Sequence, residues 1–340
     1  MRLSVLDQSV AIAGRPQADS IRETLALAEA CEQFGYHRFW VSEHHNLPSI
    51  VGTAPEVLMA AIAARTQRIR IGSAGVMLPH YASLKVAEQF RVLDALAPGR
   101  IDLGVGRAPG SDGHTAQALN PFGSSRTADF PAQVRDLQAW VSGEPLPEGH
   151  PFGRVLALPA TNTPDVPPPD VWMLGSSDYG AQVAAFFGLP YSFAAFITDG
   201  AGTEQALATY RQLFKPSARY PEPYANICVW ALTADTEEEA QRLFTSRARW
   251  RIARDRGVFG PLAAPDAEPP FAFSEADEAR VEALRKTAYV GTPAQVGARL
   301  RELAARLGLD ELVILTWSHD PVARRRSYEL LAAEFALVSS

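Results

Sequence analysis

The sequence of 340 residues predicts a single closed (β/α)8 barrel spanning residues 1–340. Two observations lead to that fold class. Eight short apolar runs read as strands, and they are almost continuously apolar, as strands buried on both faces of a parallel sheet should be. Amphipathic helical segments separate them, and repeated β-α units require right-handed crossovers and a parallel sheet. Eight such units favour closure into a barrel over an open sheet.

The eight predicted strands alternate along the chain with nine principal predicted helices. Gly35 is placed to end the first helix, and Pro55 is suited to the first turn of the second. The predicted strands are Leu3–Leu6, Arg38–Ser42, Ile69–Val76, Ile101–Val105, Val171–Leu174, Tyr191–Phe196, Ile227–Leu232 and Glu311–Thr316. The predicted helices are Ser20–Phe34, Val57–Arg65, Ala82–Leu96, Ala128–Val141, Ser177–Phe187, Glu204–Leu213, Thr236–Arg254, Pro293–Leu307 and Pro321–Leu337.

Two insertions interrupt the repeat. Residues 143–170, before strand five, are rich in proline and predict a loop or a small hairpin around Val155–Leu158. Residues 255–285, between strands seven and eight, begin with a Gly-, Pro- and Ala-rich segment and end in a polar helix near Ser274–Arg285. The second insertion falls on the face where barrel active sites lie, so a mobile lid and a solvated insertion both fit it.

Composition excludes several classes of protein. Hydrophobic residues make up 47% and charged residues 21%, which is typical of a globular protein, and the net charge of −6 without a basic stripe argues against nucleic-acid binding. The uncharged stretch Tyr179–Thr198 is broken by Gly188-Leu189-Pro190, so no membrane span is expected and the protein is predicted to be cytoplasmic. Cys31 and Cys228 stand far apart, which disfavours a disulfide scaffold or a thiolate zinc site.

The end of predicted strand two carries Glu43-His44-His45. Neighbouring residues of a strand point to opposite faces, so the two histidines are badly placed to chelate one metal ion, and no metal is predicted. Either histidine suits general acid–base chemistry near neutral pH. A structural, hydrogen-bonded histidine is the competing interpretation.

The ends of predicted strands four and five suggest a phosphate pocket. Gly104–Gly110 has glycines and an arginine but lacks the spacing of a dinucleotide fingerprint. Arg107 offers a planar fork that suits phosphate, and Gly175-Ser176-Ser177 opens a helix whose N-terminal amides suit an anion. An ordinary serine N-cap would also explain the serines. Arg126 either joins this pocket or is simply solvated.

Predicted strand three ends in the small residues Gly72-Ser73-Ala74-Gly75. They would leave room for a flat ligand, or they mark a tight exit from the strand.

Taken in order along the chain, several of these stretches resemble the bacterial luciferase-like flavin-dependent monooxygenases. The stretches that carry the resemblance are Trp40–His45, Gly72–Pro79, Leu93–Arg100, Gly104–Arg107, Val290–Val296 and Asp310–Leu312. The resemblance implies a barrel that binds FMN. It gives His44 the catalytic role, places Ser73-Ala74-Gly75 against the isoalloxazine with a non-proline cis peptide at Ala74–Gly75, and assigns the phosphate to Arg107 and Ser176. Gly175 and Ser177 complete the expected cofactor-binding set.

The function implied is oxygenation of an unidentified small organic substrate by dioxygen and reduced FMN, the latter supplied as a co-substrate by a separate flavin reductase. Gly106 and Gly175 stand where true luciferases have a reactive cysteine and an acidic residue, so light emission is not expected. Two alternatives stay open: a deazaflavin- or FMN-dependent hydride-transfer enzyme and a non-catalytic flavin-binding protein.

The resemblance also implies a homodimer. The helices after strands two and three carry apolar residues that fit either the barrel core or a dimer interface: Val57, Leu58, Ala61, Ile62, Val86 and Phe90.

Overall fold

The computed structural model describes residues 1–108, 112–121, 129–160 and 166–338. In that part of the chain each apolar run predicted as a strand forms one. The strands are β1 (Arg2–Asp7), β2 (Arg38–Val41), β3 (Arg70–Met77), β4 (Ile101–Gly106), β5 (Asp170–Gly175), β6 (Tyr191–Phe193), β7 (Ala225–Thr233), β8 (Tyr289–Gly291) and β9 (Glu311–Leu315).

All the strand pairings are parallel, and eight strands close a barrel, which confirms the predicted fold class. The order runs from β1 through β7 to β9, and β9 returns to β1 through the pairs Arg2↔Glu311 to Val5↔Ile314. Strand β8 was not predicted from the sequence. It is only three residues long. It pairs with Ala231–Thr233 at the carboxyl end of β7, whereas β6 pairs with Ala225–Ile227 at the other end.

Helices surround this barrel. In the described residues they are α1 (Gln17–Gln33), α2 (Pro55–Ala63), α3 (Ser83–Leu96), α4 (Gly113–Leu119), α5 (Phe130–Ser142), α6 (Asp178–Phe187), α7 (Thr203–Leu213), α8 (Glu237–Asp255), α9 (Glu275–Thr287), α10 (Pro293–Leu307) and α11 (Pro321–Glu334). Helix α4 is an addition to the sequence prediction: it is seven residues long, and Asp112 caps it by accepting from the backbone N–H groups of His114 and Thr115. Each principal helix predicted from the sequence is present.

Two apolar layers form the core. The outer layer lies between strands and helices and includes Val5, Phe39 and Ile314, all fully buried. The inner layer fills the barrel and includes Trp40 and Trp172, whose ring centroids are 5.1 Å apart. Both free cysteines are buried, one in each layer.

Charged side chains occupy the amino end of the barrel interior. Arg38 lies between Asp102 and Glu311: its Nη1 is 2.8 Å from Asp102 Oδ2, and its Nε is 3.1 Å from Glu311 Oε1. The two arginines that face Asp102, Arg38 and Arg70, hold the pKa of its carboxyl below the usual range despite complete burial. These ion pairs link β2, β4 and β9 at the amino end of the barrel, the end opposite to the one where barrel active sites lie.

The insertions differ in how they attach. The described part of residues 143–170 outside β5 contains no strand, so the loop alternative holds there and the small hairpin is wrong. The segment after α8 is tied to the loop after β1, because Leu262 N donates to Ala11 O at 2.7 Å and Leu262 O accepts from Ala13 N at 2.9 Å. Leu262 is fully buried, so this insertion crosses the carboxyl end of the barrel. Its role as a lid stays a prediction.

Candidate active site

Arg107 follows β4 at the carboxyl end of the barrel. Its side chain is exposed, and its guanidinium carbon lies 3.8 Å from the centroid of the Tyr179 ring. Within the described ranges, no hydrogen bond or ion pair engages the guanidinium. Stacking on an aromatic ring holds an arginine in place and leaves its planar N–H fork free. The sequence therefore placed Arg107 correctly at a strand end, but Tyr179, its support, was not singled out.

Helix α6 begins beside Arg107, because β5 is the neighbour of β4 in the barrel. Gly175 ends β5, Ser176 follows it, and Ser177 is the residue before the helix. The Ser177 side chain makes no capping hydrogen bond, so neither its hydroxyl nor the first N–H groups of the helix are satisfied by a cap. The ordinary N-cap interpretation thus lacks the hydrogen bond that defines it. A helix N-terminus with unsatisfied donors beside a free guanidinium suits an anion.

Two glycines, Gly106 and Gly175, lie between these groups. Among the described residues, nothing lies within 4 Å of a Cβ added at Gly106, and one added at Gly175 would make an ordinary contact with the Gly180 Cα, at 3.6 Å. No described residue therefore fills the space at Gly106, and a side chain at Gly175 would be accommodated without a clash.

The end of β3 is packed differently. The peptide bond between Ala74 and Gly75 is cis, as the resemblance implied. Ser73 is fully buried and donates through its Oγ to Gly104 O at 2.9 Å, where the β3–β4 register shifts. A Cβ on Gly75 would lie 2.5 Å from Leu174 Cδ1, and one on Gly72 would lie 2.5 Å from Trp40 Cδ1. Close packing within the protein thus explains these two glycines, and Ala74, which is half-buried, is the accessible part of the turn.

Glu43 organises the end of β2. It is 1% exposed and accepts three hydrogen bonds: from Tyr81 Oη at 2.6 Å, from the Met77 backbone N–H at 3.0 Å, and in a 2.7 Å bond with His45 Nε2. Burial and the Glu43 carboxylate raise the pKa of the Tyr81 phenol, which keeps it a donor. Sequence reasoning missed Glu43 in this role, because two of its three partners, Met77 and Tyr81, stand more than thirty residues away.

The two histidines that follow Glu43 have different surroundings. His45 is held by the carboxylate, as the structural interpretation of this motif expected for one of them. His44 is half-buried, and its backbone N–H donates to Gly52 O at 3.0 Å. The motif therefore separates into one histidine with a buried acidic partner and one at the partly accessible rim.

Three tryptophans lie on the β7–β9 side of the barrel mouth, away from the ends of β4 and β5. Trp230 on β7, Trp250 on α8 and Trp317 after β9 form what we call the tryptophan cluster. The ring centroids of Trp250 and Trp317 are 4.5 Å apart, and Trp317 Nε1 donates to Gln8 Oε1 at 3.1 Å. The alternation of arginine with Trp250 along α8 is the signal in the sequence that indicates this cluster.

Three further observations bound the chemistry. Arg126 lies outside the described residues. Among the described residues, no group of three or more His, Cys, Asp or Glu side chains is arranged to hold a metal ion. Every helix in the described ranges is too short or too polar to cross a lipid bilayer.

Comparisons with known proteins identify the family of the chain. The family model described as luciferase-like monooxygenase matches residues 1–311. The chain is 38% identical to a luciferase-like monooxygenase of Escherichia coli K12, over 96% of this chain and 95% of the relative. It is 35% identical to the N-acetyl-S-alkylcysteine monooxygenase of Bacillus subtilis, over 98% and 97%. The crystal structure of apo-MsnO8 superposes with a TM-score of 0.86 at 34% identity, covering 99% of this chain and 98% of that one. The chain therefore belongs to the luciferase-like monooxygenase family.

Proposed function

We propose that this member of the family is a flavin-dependent monooxygenase, which uses reduced FMN and dioxygen to oxygenate a small organic substrate. The observation that carries the proposal is the anion cradle at the ends of β4 and β5. Arg107 and the N-terminus of α6 present hydrogen-bond donors that no described residue uses. They lie on either side of Gly106 and Gly175, whose lack of side chains leaves the backbone accessible. Those residues fit the phosphate of FMN, which is a dianion that favours an arginine fork and a helix N-terminus.

In this proposal each residue of the cradle has its own part. Arg107 donates from its fork to the phosphate oxygens, and Tyr179 keeps the guanidinium over the site by stacking. Ser176 and Ser177 donate from their hydroxyls, and Gly175 leaves room for the ligand to approach the backbone. Ser73, Ala74 and Gly75 form the wall against which the flat ring system lies, with Ala74 as its accessible surface.

His44 is the proposed catalytic residue. Bound reduced FMN would supply the electrons that activate dioxygen. A neutral imidazole at the rim can accept a proton or donate a hydrogen bond there, and general acid–base assistance of this kind is worth about 10²–10⁴-fold in rate. Glu43 is a positioning residue in the proposal: by bonding to Tyr81, His45 and the Met77 N–H, it ties the chain that follows the wall formed by Ser73–Gly75 to the end of β2.

One experiment tests the reaction class. The protein is incubated with chemically reduced FMN, ¹⁸O₂ and a bacterial small-molecule extract, and products are sought by mass spectrometry. We expect a product that carries one ¹⁸O atom, requires FMN, and is lost with the His44→Ala variant.

The alternatives give other results in the same experiment. A hydride-transfer enzyme would yield a product without ¹⁸O and would also turn over without oxygen. A non-catalytic flavin-binding protein would bind FMN and convert nothing. Either result would contradict the proposed oxygenase.

Assembly as a homodimer and delivery of reduced FMN by a separate reductase belong to the same proposal. Of the apolar residues considered for an interface, Leu58, Ile62, Val86 and Phe90 are buried in the core. Val57 on α2 is 63% exposed, and α3 adds Val92 and Leu96 at 48% and 59%. Exposed apolar side chains on two adjacent helices suit a self-complementary contact. Sedimentation of a single monomeric species at micromolar concentration would contradict the dimer.

A further inference from the structure

A cavity of about 610 Å³ lies beside the barrel, away from the anion cradle. Its walls come from the loop between β6 and α7, from β7, and from helices α8, α9 and α10. Ile227, Val229, Phe244 and Leu284 form the apolar part of the lining. Two acids also line the cavity, and each is ion-paired: Asp199 with Arg251, and Glu204 with Arg306. The volume is in the range of small-molecule pockets, about 300–1,000 Å³. No residue assigned here to FMN or to proton transfer lines this cavity.

Arg247 of α8 is the buried charge in this wall. It is 8% exposed, and its guanidinium carbon lies 5.7, 5.1 and 5.5 Å from the ring centroids of Trp230, Trp250 and Trp317. Across the described ranges, no residue accepts a hydrogen bond from Arg247 or forms an ion pair with it. Buried cations are normally paired, because removing a charge from water is costly. Arg247 is therefore a cation built into the cavity without a counter-ion of its own.

The nearby carboxylates are engaged elsewhere. Asp199 and Asp255 are the acids whose charges act on Arg247, and both pair with Arg251, at 3.1 and 3.2 Å. Asp199 also pairs with Arg280 at 2.9 Å. Arg254 adds a further positive charge, so guanidiniums outnumber carboxylates around the tryptophan cluster. Burial, reinforced by Arg251, lowers the pKa of the Arg247 guanidinium, the direction expected for a buried cation whose charge is poorly offset.

Other donors near Arg247 also lack acceptors. Within the described part of the chain, the buried indole Nε1 atoms of Trp230 and Trp250 and the Arg251 Nη1 atom have no hydrogen-bond partner. Native interiors leave few such groups unsatisfied. Of the three residues, Trp230 lines the cavity, so its indole N–H is a second donor beside Arg247 that a bound acceptor could use.

We propose that the cavity binds an apolar organic carboxylate whose carboxylate group is held by Arg247. The fork of Arg247 matches a carboxylate with two parallel N–H···O bonds, and the apolar walls match a hydrocarbon or aromatic body. A monoanion fits better than a phosphate dianion, because the apolar part of the cavity would have to desolvate the second charge without a second free cation to offset it. The proposal does not depend on flavin chemistry.

The test is isothermal titration of the flavin-free protein with 4-phenylbutyrate and with its uncharged analogue 4-phenylbutanol. We expect the carboxylate to bind wild type at least about tenfold more tightly, since a charge-assisted hydrogen bond is worth about that much. Arg247→Met should abolish the preference for the carboxylate. Arg242→Met, on the exposed part of the same helix, and Arg107→Ala, in the anion cradle, should keep it.

Arg247→Lys is the control for the possibility that Arg247→Met does not fold. It keeps the charge but loses the planar fork, so it should weaken carboxylate binding severalfold and leave alcohol binding unchanged, with a thermal unfolding midpoint near that of wild type. Equal affinity for the two probes in wild type overturns the proposal. So does a carboxylate preference that survives Arg247→Met, is lost with Arg107→Ala, or is as strong in Arg247→Lys as in wild type.

Discussion

Two arginines near the barrel mouth, Arg107 after β4 and Arg247 in α8, differ in their exposure to solvent. Arg107, beside β4 and β5, is exposed and lies on the face of Tyr179. Arg247, beside β7 and β9, is buried among three tryptophans. The first can exchange water for a phosphate at little desolvation cost, whereas the charge of the second is screened less by water and would interact more strongly with a bound monoanion. Burial, more than residue type, thus distinguishes the proposed phosphate site from the proposed carboxylate cavity.

The largest effect is expected at His44, the proposed catalytic residue, which follows β2 and belongs to neither of these two sides. His44→Ala should lower turnover by about 10²–10⁴-fold, because a positioned acid or base contributes that much. FMN affinity should stay near the wild-type value, since His44 is not part of the anion cradle. The measurement is the initial rate of ¹⁸O incorporation, with FMN affinity from quenching of flavin fluorescence.

His45→Ala is the matched control for that prediction. His45 is bonded to the buried Glu43, so its loss should lower the thermal unfolding midpoint and affect turnover less. Equal losses of turnover in the two variants would indicate damaged structure. Unchanged turnover in His44→Ala would remove the catalytic assignment.

Gly104 and Gly106 test whether the cradle side is open or closely packed. A Cβ on Gly104 would lie 2.1 Å from the Ser73 carbonyl oxygen, whereas one on Gly106 would meet nothing within 4 Å. Gly104→Ala should therefore destabilise the protein by about 1–3 kcal/mol, as overpacking does. Gly106→Ala should change the free energy of unfolding by less than about 0.5 kcal/mol. Urea unfolding of the flavin-free variants measures both, and equal stabilities would contradict the packing described for β3 and β4.

Ser177 offers a smaller and more selective test of the same side. Because its hydroxyl caps nothing, Ser177→Ala should leave the unfolding midpoint unchanged while weakening FMN about 2–10-fold, the loss expected for one hydrogen bond. Thr236, which caps α8 by accepting from Glu239 N at 3.2 Å, should show the reverse: Thr236→Ala costs about 1 kcal/mol of stability and leaves FMN affinity alone. A stability loss in Ser177→Ala would restore the simple capping role.

The sequence predicted the barrel well because its signals are local. Apolar runs, helix-ending glycines such as Gly35 and strand-end positions such as Arg107 are all read within a few residues. The short β8 escaped because three residues carry no periodicity, and its strand character comes from pairing with β7. Glu43 and Arg247 escaped as site residues for a related reason. Glu43 is defined by its hydrogen bonds to Tyr81 and Met77, and Arg247 by its contacts with three tryptophans. Only the fold brings these partners together.

The glycines of Gly72–Gly75 teach a similar lesson. From the sequence they fitted a space for a ligand, but Trp40 and Leu174 fill the space at Gly72 and Gly75. Small residues at a strand end indicate close approach, and only the structure says whether a ligand or the protein itself approaches.

The central claim is that the β4–β5 side of the mouth holds the flavin phosphate, and one comparison tests it most directly. FMN and riboflavin, which differ only by the phosphate, are titrated into wild type and Arg107→Ala by flavin fluorescence. We expect wild type to bind FMN at least about tenfold more tightly than riboflavin, and Arg107→Ala to lose most of that preference through a loss of about 1.5–3 kcal/mol in FMN binding. Equal binding of the two flavins by wild type, or an undiminished preference in Arg107→Ala, would contradict it.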